Sequence, residues 1–346
     1  MKPFRSLLCL VLVPVLLGSA GTTAVAQQTP AGQDDDVIRV ETDITNLPFT
    51  ANDKQNRFIT TLREEDIRVL EDGVPQKLFI FQRETDRPLS IAFLIDVSVS
   101  EERTLPQEKA AARSFIETII QSSKDQAAVI PFTGSAFLEQ PLTRDVLGIY
   151  RALERVEVAF PGYMGSGRPI SGIVSGPGTK APPHEGSTAI WEAIALAASE
   201  VLARNPGHGS QSQRRRAIIL LTDGQDTSSR ITRSESIKQA LAAETIVYAI
   251  GIGDGKYEGI DRDALRAVAE STGGRAFFPK KEIDLRNAFT EIEQELRTQY
   301  LIAYSSTNKK RDGAYRQMRI EITNPALQKE QLKLRYRPGY FAVVGP

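Results

Sequence analysis

Cysteine is nearly absent from this chain: among 346 residues there is only Cys9, close to the N-terminus. No disulfide can staple the fold, and neither a thiolate nucleophile nor a zinc-thiolate site is available further along. Histidine is almost as scarce. His184 and His208 stand in Gly/Pro-rich stretches with no serine or carboxylate motif beside them, so no serine triad comes into view. An excess of one charge is missing too, because 43 Lys and Arg balance 43 Asp and Glu. Without the first 26 residues the count is 41 against 43, and a net charge near −2 gives no attraction to nucleic acid or to an anionic membrane. Long apolar runs are also lacking. The stretch Leu7 to Leu17 is shorter than the roughly 20 apolar residues that a spanning helix needs.

What that stretch does fit is an export signal. Lys2 and Arg5 precede the apolar core, and Ala24, Val25 and Ala26 follow it, which predicts cleavage after Ala26 and a secreted or periplasmic (cell-envelope) protein with no integral membrane segment after cleavage. Residues 27 to 36, ending in three aspartates, read as a linker. With 41% hydrophobic and 25% charged residues the remainder has ordinary globular composition, and its length allows more than one module.

From 37 to 87 the texture is that of short strands: VIRVETDI, RFITTL, DIRVLEDG and QKLFIFQRE alternate, with a turn at Glu71, Asp72 and Gly73. From 88 to 298 it changes. SIAFLID, QAAVIPF, RAIILLTD and TIVYAIGIG are apolar throughout, and amphipathic helices separate them, the first opening near Pro106 with Ala112, Phe115, Ile116, Ile119 and Ile120 on one face. Buried strands joined by crossover helices predict a doubly wound, mostly parallel α/β sheet covered on both faces. Strand texture returns from 299 to 346 in YLIAYSS, YRQMRIEIT and LKLRYRPGYFAVV, so the two flanks are expected to pair into one small β module with the α/β domain inserted between them. The Gly/Pro-rich stretch 161–186 reads as a long loop.

Ligands of a doubly wound sheet bind at the carboxyl ends of its strands. Asp96 ends one strand there and Ser98 and Ser100 follow; Asp223 ends another, with Gly224 after it; Thr188 opens the helix after the long loop. Two carboxylates and three hydroxyls make an oxygen set suited to a hard divalent cation, Mg²⁺ or else Mn²⁺ or Ca²⁺. If the aspartates act through water and the hydroxyls bind directly, the ion keeps positive charge and draws an acidic side chain from a partner protein. The bland alternative is that the serines cap the next helix and Asp223 shapes a turn.

In Asp96, Ser98, Ser100, Thr188 and Asp223 the chain resembles the von Willebrand factor type A family and its metal-ion-dependent adhesion site, Asp-x-Ser-x-Ser followed by Thr and Asp. The resemblance runs through about 210 residues of strand and helix order. It implies a non-enzymatic adhesion module, with Ser98, Ser100 and Thr188 as direct ligands and the aspartates acting partly through water. Val99 and Ser187 stand where that pattern commonly has glycine. EEDIRVLEDGVPQKLFIF at 64–81 and RPGYFAV near the end are also similar to a subfamily of secreted bacterial proteins carrying this domain. Other readings weigh less. GIGDG at 251–255 breaks the six-position nucleotide-loop pattern at Lys256 and reads as a strand-end turn; Trp191 reads as core beside Ile194 and Leu202; Arg214 to Arg216 read as a solvated strand entry. A metal-dependent hydrolase or phosphotransferase at the same residues, or a structural envelope module with an empty site, are the alternatives to adhesion.

Overall fold

The computed structural model describes residues 44–85, 87–121, 123–159, 168–169, 187–203, 214–252 and 259–345. The expected signal peptide and linker, both histidines and most of the 161–186 stretch lie outside them. Four strands come first: β1 (Ile44–Asn52), β2 (Ile67–Glu71), β3 (Val74–Pro75) and β4 (Leu78–Glu84). The α/β portion follows with β5 (Leu89–Asp96), α1 (Leu105–Ile119), β6 (Gln126–Phe132), β7 (Phe137–Leu138), β8 (Gln140–Thr143), α2 (Val146–Arg155), β9 (Arg168–Pro169) and α3 (Ile190–Leu196). It continues through β10 (Arg215–Thr222), α4 (Arg233–Ala242), β11 (Thr245–Gly251), α5 (Arg262–Ser271), β12 (Ala276–Phe277) and α6 (Glu282–Arg297). β13 (Gln299–Ser305), β14 (Tyr315–Ile322), α7 (Pro325–Glu330), β15 (Lys333–Arg335) and β16 (Gly339–Phe341) complete the chain.

The central sheet has the order β12-β11-β10-β5-β6-β8. Every pairing is parallel except β6 with β8, a short edge strand that the apolar pattern does not announce. Both faces are covered, which is why alternate residues along one strand are all apolar. Ile91, Phe93 and Ile95 of β5 face α1, α2 and α6, and Ala92 and Leu94 face α3, α4 and α5. Phe115 of α1 ties the first layer together, edge-on to Phe93 at 5.9 Å and stacked on Phe289 of α6 at 4.8 Å. Trp191 packs in the second layer with Ile194 and Leu202, as expected of a core residue. β5 lies between β6 and β10, so the chain crosses to the right of β5 over one face and to the left over the other. The crevice between the carboxyl ends of β5 and β10 is the switch point of the sheet.

The two flanks form two four-stranded sheets, β15-β1-β13-β4 and β16-β14-β2-β3, each containing strands from both ends of the chain. Leu47, Phe49, Val69, Tyr300, Ile302, Met318 and Ile320 pack between them. The pairing Gln299↔Glu84 sets the exit from the α/β portion directly opposite its entrance, the geometry of an inserted domain. Glu71 of β2 is 2% exposed, and its carboxylate accepts hydrogen bonds from Tyr304 (2.8 Å), Tyr340 (3.0 Å) and Ser306, all from the C-terminal flank.

Three expectations need correction. RFITTL is not a strand: only Phe58 makes an isolated bridge, the Ile59 N–H goes to Ala51 O, and Tyr300 Oη both accepts from Leu62 N–H and donates to Ile59 O. These partners take the backbone groups a ladder would use. The closing LKLRYRPGYFAVV breaks at Pro338 into β15 and β16, which join different sheets. Arg214 and Arg215 are not a solvated strand entry but are buried, because β10 is central and its first residues lie among chain ends rich in carbonyls. Arg214 donates to Ser90 Oγ and Leu89 O, and Arg215 to Leu296 O and Glu84. Burial lowers the Arg215 guanidinium to about 10.

Glu71→Ala leaves three hydroxyls of the sandwich interior without their acceptor, so urea denaturation is expected to show a loss of about 2–4 kcal/mol with an unchanged m-value. Asp66 gives a pH-dependent counterpart. The Asn324 amide and then the Arg63 N–H hold its carboxyl below the usual range. A depressed acid contributes stability above its unfolded pKa and loses it as pH falls through the folded value, so Asp66→Asn should destabilise at pH 7 and have little effect near pH 2.

Candidate functional site

β5 ends in Asp96, which is fully buried. Its side chain is fixed from two sides: Ser98 N–H donates to Oδ1 at 3.0 Å and Thr222 Oγ1 donates to Oδ2 at 2.5 Å. The sheet register produces the second bond, since Leu221 lies opposite Ile95 and Thr222 therefore stands level with Asp96. Asp223 follows, 5% exposed, with Oδ1 accepting the Gln225 N–H at 2.9 Å. Gly224 has φ +86°, and a Cβ there would meet Leu265 at 2.9 Å and Asp261 O at 3.1 Å, so the tight turn after Asp223 needs glycine.

After Asp96 the alternation stops being strand. Ser98 leads into a 3₁₀ turn over Val99–Arg103, and the Ser98 and Ser100 hydroxyls meet at 3.0 Å. Val99 has no positive φ and points largely to solvent, so the turn forms without the glycine that the family pattern commonly has there. Thr188 is held by the loop after β10. Its N–H donates to Thr227 Oγ1 at 2.8 Å, and its carbonyl accepts from Thr227 and Ser228 N–H. Ala189 N–H donates to Thr133 O in the loop after β6, so Thr188 is laced to the same strand ends as Asp96 and Asp223. Asp226 and Ser229 cap the start of α3 through the Ile190 and Trp191 N–H groups, anchoring that helix to the loop. All five residues singled out in the sequence thus stand at one edge of the sheet.

Two acidic residues join them that the motif does not contain. Glu101, 1% exposed, accepts from Thr104 Oγ1, and oxygens of Asp96, Glu101 and Asp223 all lie within 4.8 Å of one another. Glu108 of α1 is fully buried beside them. Glu101 Oε1 and both Glu108 oxygens have no hydrogen-bond partner. Among the described residues no lysine or arginine forms an ion pair with any of the four carboxylates. Burial, opposed by the hydrogen bonds from Thr222 and Ser98, raises the Asp96 carboxyl to about 6. Burial and then mutual repulsion push Glu101 upward, and burial pushes Glu108 upward. A buried anion is costly unless paired or coordinating a metal, and here the counter-charge is missing on the protein side, so the oxygen-only donor set fits a hard divalent cation. A signal for Glu108 was present in the sequence. It sits at three-and-four spacing with Leu105, Ala112, Phe115 and Ile119, an acid in the apolar stripe of a helix.

Two family models, each described as a von Willebrand factor type A domain, match residues 91–225 and 179–291. Mouse integrin alpha-X is 25% identical over 178 residues, which is 51% of this chain and 14% of that protein, so the chain spans a small part of that relative's length. Among solved structures, a von Willebrand factor type A protein from Catenulispora acidiphila is 14% identical over 88% of this chain and 75% of its own, with a TM-score of 0.47. Proximal thread matrix protein 1 from the mussel byssus, with a zinc-occupied MIDAS motif, is 18% identical over 66% of this chain and 50% of its own, also at 0.47. BatB from Bacteroides thetaiotaomicron is 18% identical over 61% of this chain and all of its own, at 0.44. The two models overlap and together run from β5 into α6, through the whole six-stranded sheet whose switch point holds the acidic cluster. The chain is a von Willebrand factor type A domain protein.

Proposed function

We propose that the edge between β5 and β10 holds a divalent cation and that the protein is an exported interaction module, which captures an acidic side chain of a partner protein through that cation. The observation that carries the reading is the set of buried oxygens from Asp96, Glu101 and Asp223, within 4.8 Å of one another and, among the described residues, without a basic partner. Ser98, Ser100 and Thr188 would supply neutral hydroxyl ligands, and Asp96 and Asp223 would bind directly or orient water. Thr222 holds Asp96 in place through its hydroxyl. When bound, a hard cation of this kind offers a coordination position to an external carboxylate. The residues of this chain orient that position, exclude bulk water from its floor and supply no nucleophile of their own. The leader-like N-terminus supports export as the setting.

Cation binding should show as folding stability. At a hundredfold excess of Mg²⁺ or Mn²⁺ over Kd the expected gain is about 2.7 kcal/mol, a rise of about 5 °C in the melting temperature for a chain of this size, reversed by chelator. Asp96→Asn and Asp223→Asn should abolish the rise; a rise that persists in both would contradict the assignment.

Thr222→Val removes the donor to Asp96 while keeping the shape, so isothermal titration is expected to show cation affinity weakened by up to about tenfold. For the partner, capture from cell-envelope extract should be lost with chelator and with Asp96→Asn. Capture that survives both would remove the cation from the recognition step.

A further inference from the structure

Glu101 lies outside the five-residue oxygen set, yet its carboxylate stands beside two members of it. It follows Ser100 directly, on the short turn Val99–Arg103. Its carboxylate is 1% exposed and one of its oxygens comes within 4.8 Å of oxygens of both Asp96 and Asp223. Oxygens on opposite sides of one ion at Mg²⁺ or Ca²⁺ bond lengths are about 4–5 Å apart, so a single cation can touch all three residues. Thr104 Oγ1 pins one Glu101 oxygen while Oε1 is buried without a partner. A second observation points the same way: Glu108, with no exposed surface, lies against Glu101 and close enough to repel Asp96 as well. Among the described residues nothing basic answers this charge, and Glu101 faces Asp96 and Asp223 as well as Glu108.

We propose that Glu101 is a built-in ligand of the cation, holding the coordination position that a partner's carboxylate would take, so that capture of an acidic partner requires Glu101 to be displaced. This rests on the cation reading above. The charge count gives the consequence. Three carboxylates around a doubly charged ion leave the site net negative, which repels a fourth, whereas two leave it neutral with one position free. The turn carrying Glu101 suits an exchange, since Val99, Ser100, Glu102 and Arg103 beside it are all exposed and only Glu101 is buried.

Mn²⁺ as the probe ion tests this through the water protons that bound Mn²⁺ relaxes. Wild-type protein, Glu101→Gln and Glu101→Ala are titrated with Mn²⁺, and acetate is then added. Both variants are expected to bind Mn²⁺ about tenfold more weakly, as ligand charge is lost. Glu101→Ala should relax water more strongly, because a water fills the vacated position, and acetate should reduce that relaxation at concentrations that leave wild type unchanged. Unaltered relaxation in Glu101→Ala, with or without an affinity loss, overturns direct ligation by Glu101 and leaves the cation site standing. Failure of wild type to bind Mn²⁺ overturns the cation reading and this proposal together.

Discussion

The structure depends at one place on an unbalanced electrostatic arrangement: Asp96, Glu101, Glu108 and Asp223 are buried together, and among the described residues no basic side chain pairs with them. Elsewhere the described buried carboxylates have partners: Glu71 has the hydroxyls of Tyr304, Tyr340 and Ser306, and others have arginine. Glu84 has Arg87 and Arg215, Asp125 has Arg297, and Glu192 has Arg230. The cluster at the switch point of the sheet differs: among the described residues no basic side chain pairs with it, and its oxygens suit an external cation. The cation and interaction readings both start from that contrast.

The rest of the fold is arranged to hold the cluster still. The central position of β5 and β10 puts Asp96 and Asp223 on the two most enclosed strands, and the register between them places Thr222 where it can lock the Asp96 carboxylate. The loops after β6 and β10 grip Thr188 by its backbone. At the other end of the same strands, Arg215 ties the start of β10 to Glu84 and to the end of α6, next to the paired entry and exit of the inserted domain. A strand of eight residues is roughly 26 Å long, so the β sandwich and the acidic edge lie at opposite ends of the sheet. The carboxyl end carries the acidic cluster while the amino end carries the sandwich.

Much of this could be read from residue order, for identifiable reasons. The strands SIAFLID, RAIILLTD and TIVYAIG are apolar on both sides because helices cover both faces of the sheet; a strand with one wet face would alternate instead. Asp96 and Asp223 stood out because they end apolar strands, where the fold class itself puts ligands, and the family resemblance added Ser98, Ser100 and Thr188. Other features resist reading because tertiary contacts decide them. RFITTL has the composition of a strand, but Tyr300, more than 200 positions away, takes its hydrogen bonds. Three arginines in a row suggest solvent, yet the start of a central strand is surrounded by carbonyl groups that accept them. Glu101 looks like an ordinary surface acid until the turn after Ser100 brings it against Asp96 and Asp223, a contact that no local pattern encodes.

The proposed function stands on a divalent cation held among these carboxylates. The direct measurement is anomalous diffraction from crystals of the protein grown with Mn²⁺. The expected result is a peak bounded by Asp96, Glu101 and Asp223, with Ser98, Ser100 and Thr188 around it. A well-ordered map at saturating Mn²⁺ with no peak there, and with Asp96 still bonded only to Ser98 and Thr222, would contradict it.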